Sequence, residues 1–597
     1  MKPTLEILDN IRKNSGRNKE EIFTRLYRYM LRPDLYYLAY KNLYANKGAS
    51  TKGVNDDTAD GFSETKIEKI IQSLVNETYM PNPVRREYIR KKRNSKKKRP
   101  LGIPTFTDKL VQEVMRMILE AIYEPTFSYY SHGFRPNRSC HTALNSLRRE
   151  FTGVTWFIEG DIKGCFDNID HHALVNIINS KIKDARLIKL IWRFLKAGYI
   201  EDWQYHSTYS GCPQGGIVSP ILANIYLNEL DKFVVKMAND FYSPRIRSKT
   251  PEYTDLVFEQ VKINAQLKIA TGVEKSDLLR RLKELKSEKR KTPCTSKTDK
   301  VIKYIRYADD FIIGIKGDKS DCDEIKRQLS EFICHSLKME LSDEKTLIKH
   351  SNEYARFLGY DVRVRRDGTV KRTNGKNKMR TLNNTVELCV PFTDKIMPFL
   401  FEKAAISQKQ DGTVVPVARK TLLRCTDLEI VSAYNSELRG ICNFYGIASN
   451  FCKLNYFAYF MEYSCLKTLA AKHKSSSRKI IRKYQDGNGK WSIPYDTAKG
   501  TKRCAFARYM DCKNPNSYED KIVNFAIRYN GAKTTFEQRL SAQVCELCGK
   551  ANGPLVMHHV NKVKNLKGKQ FWEIMMIAKK RKTLAVCKPC HHKIHHP

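Results

Sequence analysis

The sequence predicts an α+β protein of several domains, and three stretches carry that reading. The first is Lys303-Tyr304-Ile305-Arg306-Tyr307-Ala308-Asp309-Asp310-Phe311-Ile312-Ile313, where strand-forming residues flank two adjacent carboxylates. That is the pattern of strand, tight turn, strand. The second is a set of helical stripes in residues 1–80 and again in 385–480. The third lies near the C-terminus, where Cys545-Glu546-Leu547-Cys548 and Cys587-Lys588-Pro589-Cys590 are separated by 38 residues. A chain of 597 residues is long enough to bury more than one core.

Composition narrows the partners. Lys and Arg number 107 against 64 Asp and Glu, a formal net charge of +43. Such an excess points to a polyanion, nucleic acid before an anionic membrane surface. No apolar run reaches the ~18 residues of a membrane span. The opening Met1-Lys2-Pro3-Thr4 leads into a charged amphipathic pattern that does not read as a signal peptide. Thirteen of the 17 cysteines lie outside the two pairs and read as thiols in a reducing compartment.

The paired carboxylates need a partner of their own. Asp309 and Asp310 would repel and raise one another's pKa, and divalent metal removes that conflict. Asp161, in Phe157-Ile158-Glu159-Gly160-Asp161-Ile162, supplies a third carboxylate. Two strands bringing Asp161 and Asp309 side by side could hold two Mg²⁺ ions about 3.5–4 Å apart, the spacing of in-line nucleotidyl transfer. The plain alternative, a polar hairpin turn, fits an isolated Asp-Asp. The surrounding chain favours the metal site.

Residues 1–80 read as a helical lead-in broken at Asn46-Lys47-Gly48-Ala49-Ser50. Ten of the fifteen residues 85–99 are basic, and the run ends in the stiff turn Arg99-Pro100-Leu101-Gly102-Ile103-Pro104. Arg99 there could grip a triphosphate bidentately. A helix is expected from Thr107. In His132-Gly133-Phe134-Arg135-Pro136-Asn137-Arg138-Ser139, Ser139 suits a helix N-cap. Arg135 and Arg138 suit either backbone phosphates or carboxylate partners. Phe166 follows Asp161 by five residues. It reads either as plain core or as a plate under the sugar of an incoming nucleotide, where it would exclude a 2′-hydroxyl. Gly211-Cys212-Pro213-Gln214-Gly215-Gly216-Ile217-Val218 is a Gly-rich loop that brings backbone close to template or nucleotide. Ser219 and Pro220 come next as expected N-cap and first helical residue. Residues 241–300 read as an inserted basic arm, solvated or bound to RNA.

Tyr307-Ala308-Asp309-Asp310, Asp161 with Phe166, Pro213-Gln214-Gly215-Gly216, the Arg99–Pro104 turn and Phe357-Leu358-Gly359-Tyr360 occur in reverse-transcriptase order. The chain resembles the group II intron-encoded proteins over its whole length, in particular the bacterial group IIA class with a C-terminal endonuclease. The resemblance implies a right-hand fingers–palm reverse transcriptase over 1–384, with Asp161, Asp309 and Asp310 as metal carboxylates. It places Gln214 in the nucleotide pocket, Lys345 near the nucleotide, and Phe357 to Tyr360, Gly359 included, under the primer end. The family's second triphosphate contact, a Lys, falls at Arg93 here.

Residues 385–480 interleave aromatics with Arg and Lys, which suits structured or single-stranded RNA. They resemble the family's helical thumb, or maturase domain X, with Arg439, Tyr445, Lys467 and Lys472 as exposed-looking RNA contacts. Residues 481–540 match the DNA-binding region in position. From 541 onward the four cysteines suit a tetrahedral structural Zn²⁺. Six of the 14 histidines fall in the last forty residues. His558-His559 ends a strand-like run, and His591 and His595 are four apart, on one helical face. The pattern resembles an HNH (ββα-metal) nuclease on a zinc ribbon. By that similarity His558, His591 and His595 bind a catalytic Mg²⁺, and His559 is the general base. The family's middle Asn is Lys582 here, with Asn565 as a candidate substitute.

The resemblance implies a bacterial cytoplasmic enzyme, nucleoid-associated through its DNA target. It would bind and help splice its intron RNA, cleave double-stranded target DNA, and copy the intron from dNTPs by target-primed reverse transcription. No membrane partner is expected, and a homodimer is among the allowed assemblies. The competing reading is an RNA-binding splicing factor with a vestigial polymerase, which the intact Asp triad disfavours. A stand-alone endonuclease leaves about 500 residues unexplained.

Overall fold

The computed structural model describes residues 4–90, 98–202, 204–212, 215–243, 249–292, 294, 299–342, 344–367, 371–373, 377–379, 383–485, 491–497, 500–512, 535–551 and 553–596. A four-stranded antiparallel sheet organises it. The strand order is Val301–Tyr307, Asp310–Lys316, Trp156–Asp161, Ile348–His350. Period-two alternation in the Asp310–Lys316 strand shows why the sheet lies between two cores. Phe311, Ile313 and Ile315 point into one apolar core, and Ile312 points into the other. Burying such side chains stabilises by about 1.5–3 kcal/mol each.

On the first face lie the helices Ser219–Phe241 and Phe106–Tyr123. The Phe106–Tyr123 helix starts one residue ahead of expectation and is capped by the Thr105 hydroxyl. The Ser219–Phe241 helix departs slightly from expectation. Ser219 is its first helical residue, not its cap, and Val218 takes the cap position without a side-chain bond. Gln112 Oε1 instead accepts the nearby N–H groups of Ile217 (2.8 Å) and Val218 (3.4 Å). On the second face, the Cys140–Glu150 helix packs through Ala143, Leu144 and Leu147. Ser139 caps that helix, as expected, in a reciprocal capping box with Thr142. The second core continues into the strands Ala355–Phe357, Tyr360–Val364 and Val386–Cys389 and the helices Asp427–Phe444 and Leu454–Lys472.

The basic arm contains two helices, Pro251–Gln266 and Gly272–Lys291, tied by Arg281 to Glu259 at 2.8 Å. The C-terminal residues do not form a core of their own. Strand Leu555–His559 pairs on one side with Thr583–Cys587 and on the other with the two-residue strand Phe62–Ser63. Phe62 stacks on Tyr40 with centroids 4.0 Å apart, and Phe536 meets Tyr40 and Tyr44 edge-on at 5.2 and 4.8 Å. The first core therefore runs without a break from the N-terminal helices into residues 536–594. All 17 cysteines are free of disulfides. Among the described residues, no helix is long and apolar enough to cross a membrane.

Candidate active sites

The Tyr307–Asp310 pair closes the hairpin and leaves Ala308 and Asp309 as its two-residue turn. Asp161 and Asp310 are cross-strand partners, which brings two carboxylates to one end of the sheet with Asp309 beside them. Their pKa values record the crowding. Burial first, and then repulsion from the like charge of Asp161, raises Asp309, and the Arg99 and Lys345 cations pull against that rise. Asp310 is solvent-accessible, yet desolvation followed by the charge of Asp309 and contact with Asp161 pushes it up to about 7. A set of carboxylates that resists carrying its full charge fits hard divalent cations, which supply the missing positive charge. Lys345 Nζ supplies part of it, 2.5 Å from Asp161 Oδ2.

The hairpin is held from behind by groups that sequence reasoning missed. Ala308 sits at φ 57°, a conformation costly for any residue but glycine. Arg306, fully buried, donates to Asp231 through Nε (2.7 Å) and a terminal nitrogen (2.6 Å), and to the Ala308 carbonyl at 2.9 Å. Gly133 fits against this turn because it has no side chain: a Cβ there would lie 2.2 Å from the Ala308 nitrogen. Gly160 plays the same part beside Asp161, where a Cβ would strike the Phe311 ring at 2.1 Å. The buried Arg–Asp pair gave no sequence signal, because its halves lie in different elements and each alone looks like a surface charge.

The other motifs converge on this end. The expected stiff turn at Arg99–Pro104 is instead strand, because Lys98–Ile103 pairs antiparallel with Val84–Arg90 and Pro100, which has no N–H to give, is accommodated in that pairing. Gly215, at φ 116°, lies so close to Gly102 of this strand that a Cβ would meet its carbonyl at 2.5 Å. Phe166 is almost fully buried and meets Phe134 edge-on at 5.9 Å. Arg135 resolves toward its carboxylate reading: it pairs with Glu124 at 2.9 Å and is buried. Arg138 donates to the Tyr129 carbonyl at 2.7 Å and lies over that ring. Gly359, at φ 79°, accepts a 3.1 Å hydrogen bond from the Tyr445 hydroxyl. Arg93 and Gln214 lie outside the described residues.

Tyr445 corrects an expectation. It is buried at the end of the Asp427–Phe444 helix, with its ring 5.0 Å from Tyr360, because the helix delivers it into the second core. Lys472 is half-buried in an ion pair with Asp427 at 2.6 Å. Arg439 and Lys467 are exposed, and Lys467 donates to the Pro416 carbonyl at 2.9 Å. Sequence reasoning missed a stripe of exposed aromatics on the Leu454–Lys472 helix: Tyr456, Tyr459 and Tyr463. Their i, i+3, i+7 spacing was a signal, but helical spacing alone reads as core.

The second site lies on strand Leu555–His559 and helix Lys588–His595. The sulfurs of Cys545, Cys548, Cys587 and Cys590 all lie within 4.8 Å of one another, with Cys548 and Cys587 3.9 Å apart. A tetrahedral ion with bonds of ~2.3 Å has sulfur–sulfur edges of ~3.8 Å, so the cluster fits Zn²⁺. Burial works against the Cys545 thiolate, but backbone N–H groups of Cys548, Cys587 and Leu547 bring it down to about 7. Beside it, His558, His591 and His595 converge, with rings 4.7–5.6 Å apart. Asp60, from the N-terminal region, enters the same cluster. Burial pushes its carboxyl up, yet the His558 and His591 rings hold it far below the usual carboxylate range. His559 Nε2 lies 3.0 Å from the Tyr44 carbonyl, a separation that fits Nε2–H as donor and leaves Nδ1 as the basic nitrogen. Lys582 Nζ donates to the Ala45 carbonyl at 3.3 Å, and Asn565 is exposed in a short 3₁₀ turn.

Three family models match in this order along the chain: reverse transcriptase (RNA-dependent DNA polymerase) over residues 89–251, type II intron maturase over 383–535, and AI2M/AI1M-like HNH endonuclease over 545–591. The chain is 60% identical to the group II intron-encoded protein LtrA of Lactococcus lactis subsp. cremoris, across the full length of both. It is 34% identical to an uncharacterized 91 kDa protein in the cob intron of Schizosaccharomyces pombe, covering all of this chain and 72% of that one. It is also 34% identical to the putative COX1/OXI3 intron 2 protein of Saccharomyces cerevisiae, covering 98% of this chain and 68% of that one.

Proposed function

This chain belongs to the family of group II intron-encoded proteins, and on that premise we propose how its sites divide the work. It is a reverse transcriptase, maturase and HNH endonuclease that serves the splicing and retrohoming of its intron. We assign residues 1–384 to right-hand fingers and palm, 385–480 to the thumb and maturase domain, 481–540 to DNA binding, and 541–597 to a ββα-metal nuclease on a zinc ribbon. The protein works in the cytoplasm, on intron RNA and then on double-stranded DNA.

The observation that carries the polymerase assignment is the cross-strand pair Asp161–Asp310, with Asp309 in the adjoining turn. Bound Mg²⁺ there would stabilise charge on the attacking and leaving oxygens. Arg99 and Lys345 add fixed positive charge at the nucleotide's edge. The buried Phe166 ring presents a hard wall against a 2′-hydroxyl. The Tyr360–Tyr445 pair supports the loop at Gly359, under the primer end. In the nuclease, His558, His591 and His595 hold a divalent ion, and the Nδ1 of His559 takes the proton of the attacking water. Arg439, Lys467 and the tyrosine stripe face the RNA, with Lys472 positioned by Asp427.

The test separates the two sites. Asp309→Ala should lower cDNA synthesis at least about a thousandfold, worth ~4 kcal/mol of barrier, while intron RNA binding persists. His559→Ala should abolish cleavage of the second DNA strand and spare cDNA synthesis. Loss of both activities in either variant contradicts the assignment. Wild-type protein that splices without any cDNA synthesis marks a splicing factor instead.

A further inference from the structure

The nuclease histidines do not stand alone. Asp60 lies almost 500 residues earlier in the chain, yet its carboxylate sits among them. Its Oδ1 is 3.2 Å from His558 Nδ1, and its Oδ2 is 3.1 Å from His591 Nε2 and 2.9 Å from His595 Nε2. A tetrahedral ion with bonds of about 2.0–2.1 Å separates its ligand atoms by about 3.3–3.4 Å, and an octahedral one by about 2.9 Å. The observed separations, 2.9–3.2 Å, run from the octahedral value to just short of the tetrahedral one.

A second observation is independent of Asp60's contacts with His591 and His595. His558 is buried; its Nε2 has no partner among the described residues, and its Nδ1 faces only Asp60 Oδ1, at 3.2 Å and outside hydrogen-bond geometry. An orphaned buried imidazole costs about 1–3 kcal/mol. The cost disappears when one nitrogen binds a metal. The backbone around Asp60 is also fixed for the purpose. Phe62 pairs with Met557 and Ser63 with Val556, the Gly61 N–H donates to the Met557 carbonyl at 3.0 Å, and the His559 N–H donates to Asp60 Oδ1 at 2.6 Å. The short strand thus delivers Asp60 to the end of the strand that carries His558.

We propose that Asp60 is a fourth protein ligand of the nuclease metal, so that the nuclease centre is a composite of the two ends of the chain. The proposal rests on the reading of His558, His591 and His595 as metal ligands. Three imidazoles and one carboxylate form a borderline-soft set that favours Zn²⁺, Co²⁺ or Ni²⁺ over Mg²⁺. The same N-terminal segment supplies the Tyr44 carbonyl that fixes the His559 tautomer. The polymerase end of the chain therefore orients both the ion and the base of the nuclease.

Cobalt reports on this directly. Full-length protein with zinc at its four cysteines, carrying Asp309→Ala to weaken the polymerase site, is titrated with Co²⁺ and its visible d–d absorption recorded. Asp60→Asn should weaken Co²⁺ binding at least about tenfold and change the band, and His591→Ala should remove the band. Equal affinity and an identical band in Asp60→Asn overturn the proposal and leave the histidine site standing. An unchanged band in His591→Ala overturns the histidine site itself. If Asp60→Asn unseats the Phe62–Ser63 strand, Asp60→Glu gives the answer: its displaced carboxylate must still alter the spectrum, and an unaltered one sinks the idea.

Discussion

The two candidate active sites are built on opposite plans. The carboxylate site gathers Asp161, Asp309 and Asp310 from adjacent strands of one sheet, between two apolar cores, with the buried Arg306–Asp231 pair behind it. The histidine site joins a short C-terminal module, held by a four-cysteine cluster, to a carboxylate from the far end of the chain. One site is a by-product of sheet register. The other depends on the docking of two remote segments. The first should be robust to loss of metal, and the second should not.

The sharpest contrast comes from removing zinc. Structural zinc contributes about 10–16 kcal/mol to small metal-folded modules. Cys548→Ser should lower the zinc content by at least one ion per chain, measured by mass spectrometry. It should expose the tail to protease and abolish DNA cleavage while cDNA synthesis persists. If cDNA synthesis falls in parallel, the shared core makes the two plans one.

Next in size is the support of the carboxylate turn. Arg306→Met leaves Asp231 as an uncompensated buried charge, which costs about 3–5 kcal/mol. Denaturant unfolding should show that loss, and cDNA synthesis should drop more than zinc content. An unaltered midpoint would deny the pair its role.

His132, under the same turn, gives a pH signature. Burial first, then the charges of Arg138, Arg135 and Arg306, press its pKa from 6.5 down to about 3. The unfolded chain takes up this proton below about 6.5 and the folded chain does not. Stability is therefore lost as pH falls from 6.5 toward 3, by about 1.4 kcal/mol per unit at most. His132→Gln should flatten that part of the profile in thermal melts, and an unchanged slope would show that His132 does not carry it.

The smallest effect concerns RNA. Tyr459→Ala should weaken intron RNA binding by about 1–3 kcal/mol if a base stacks there, with both active sites intact. Filter binding that matches wild type would leave the stripe without that role.

Much of this was legible in the chain. The strand–turn–strand at Lys303–Ile313, the Ser139 cap, the strand ending in His558-His559 and the helix bearing His591 and His595 all follow from local periodicity and capping chemistry. Tyr445 did not, because an aromatic at a helix end reads the same whether it faces RNA or a core. Arg135 was ambiguous for the same reason until Glu124 appeared beside it.

Sequence alone determined the chemistry available: three carboxylates at strand ends, four thiolates in two pairs and histidines at helical spacing. These are short-range properties, set by residue type and the periods of helix and strand. Only the tertiary structure decided which remote groups meet. It put Asp231 against Arg306 and Asp60 among the histidines, and it merged the N-terminal and C-terminal apolar faces into one core. Those choices come from complementary surfaces packing together, and the pairing of two surfaces is written in neither segment by itself.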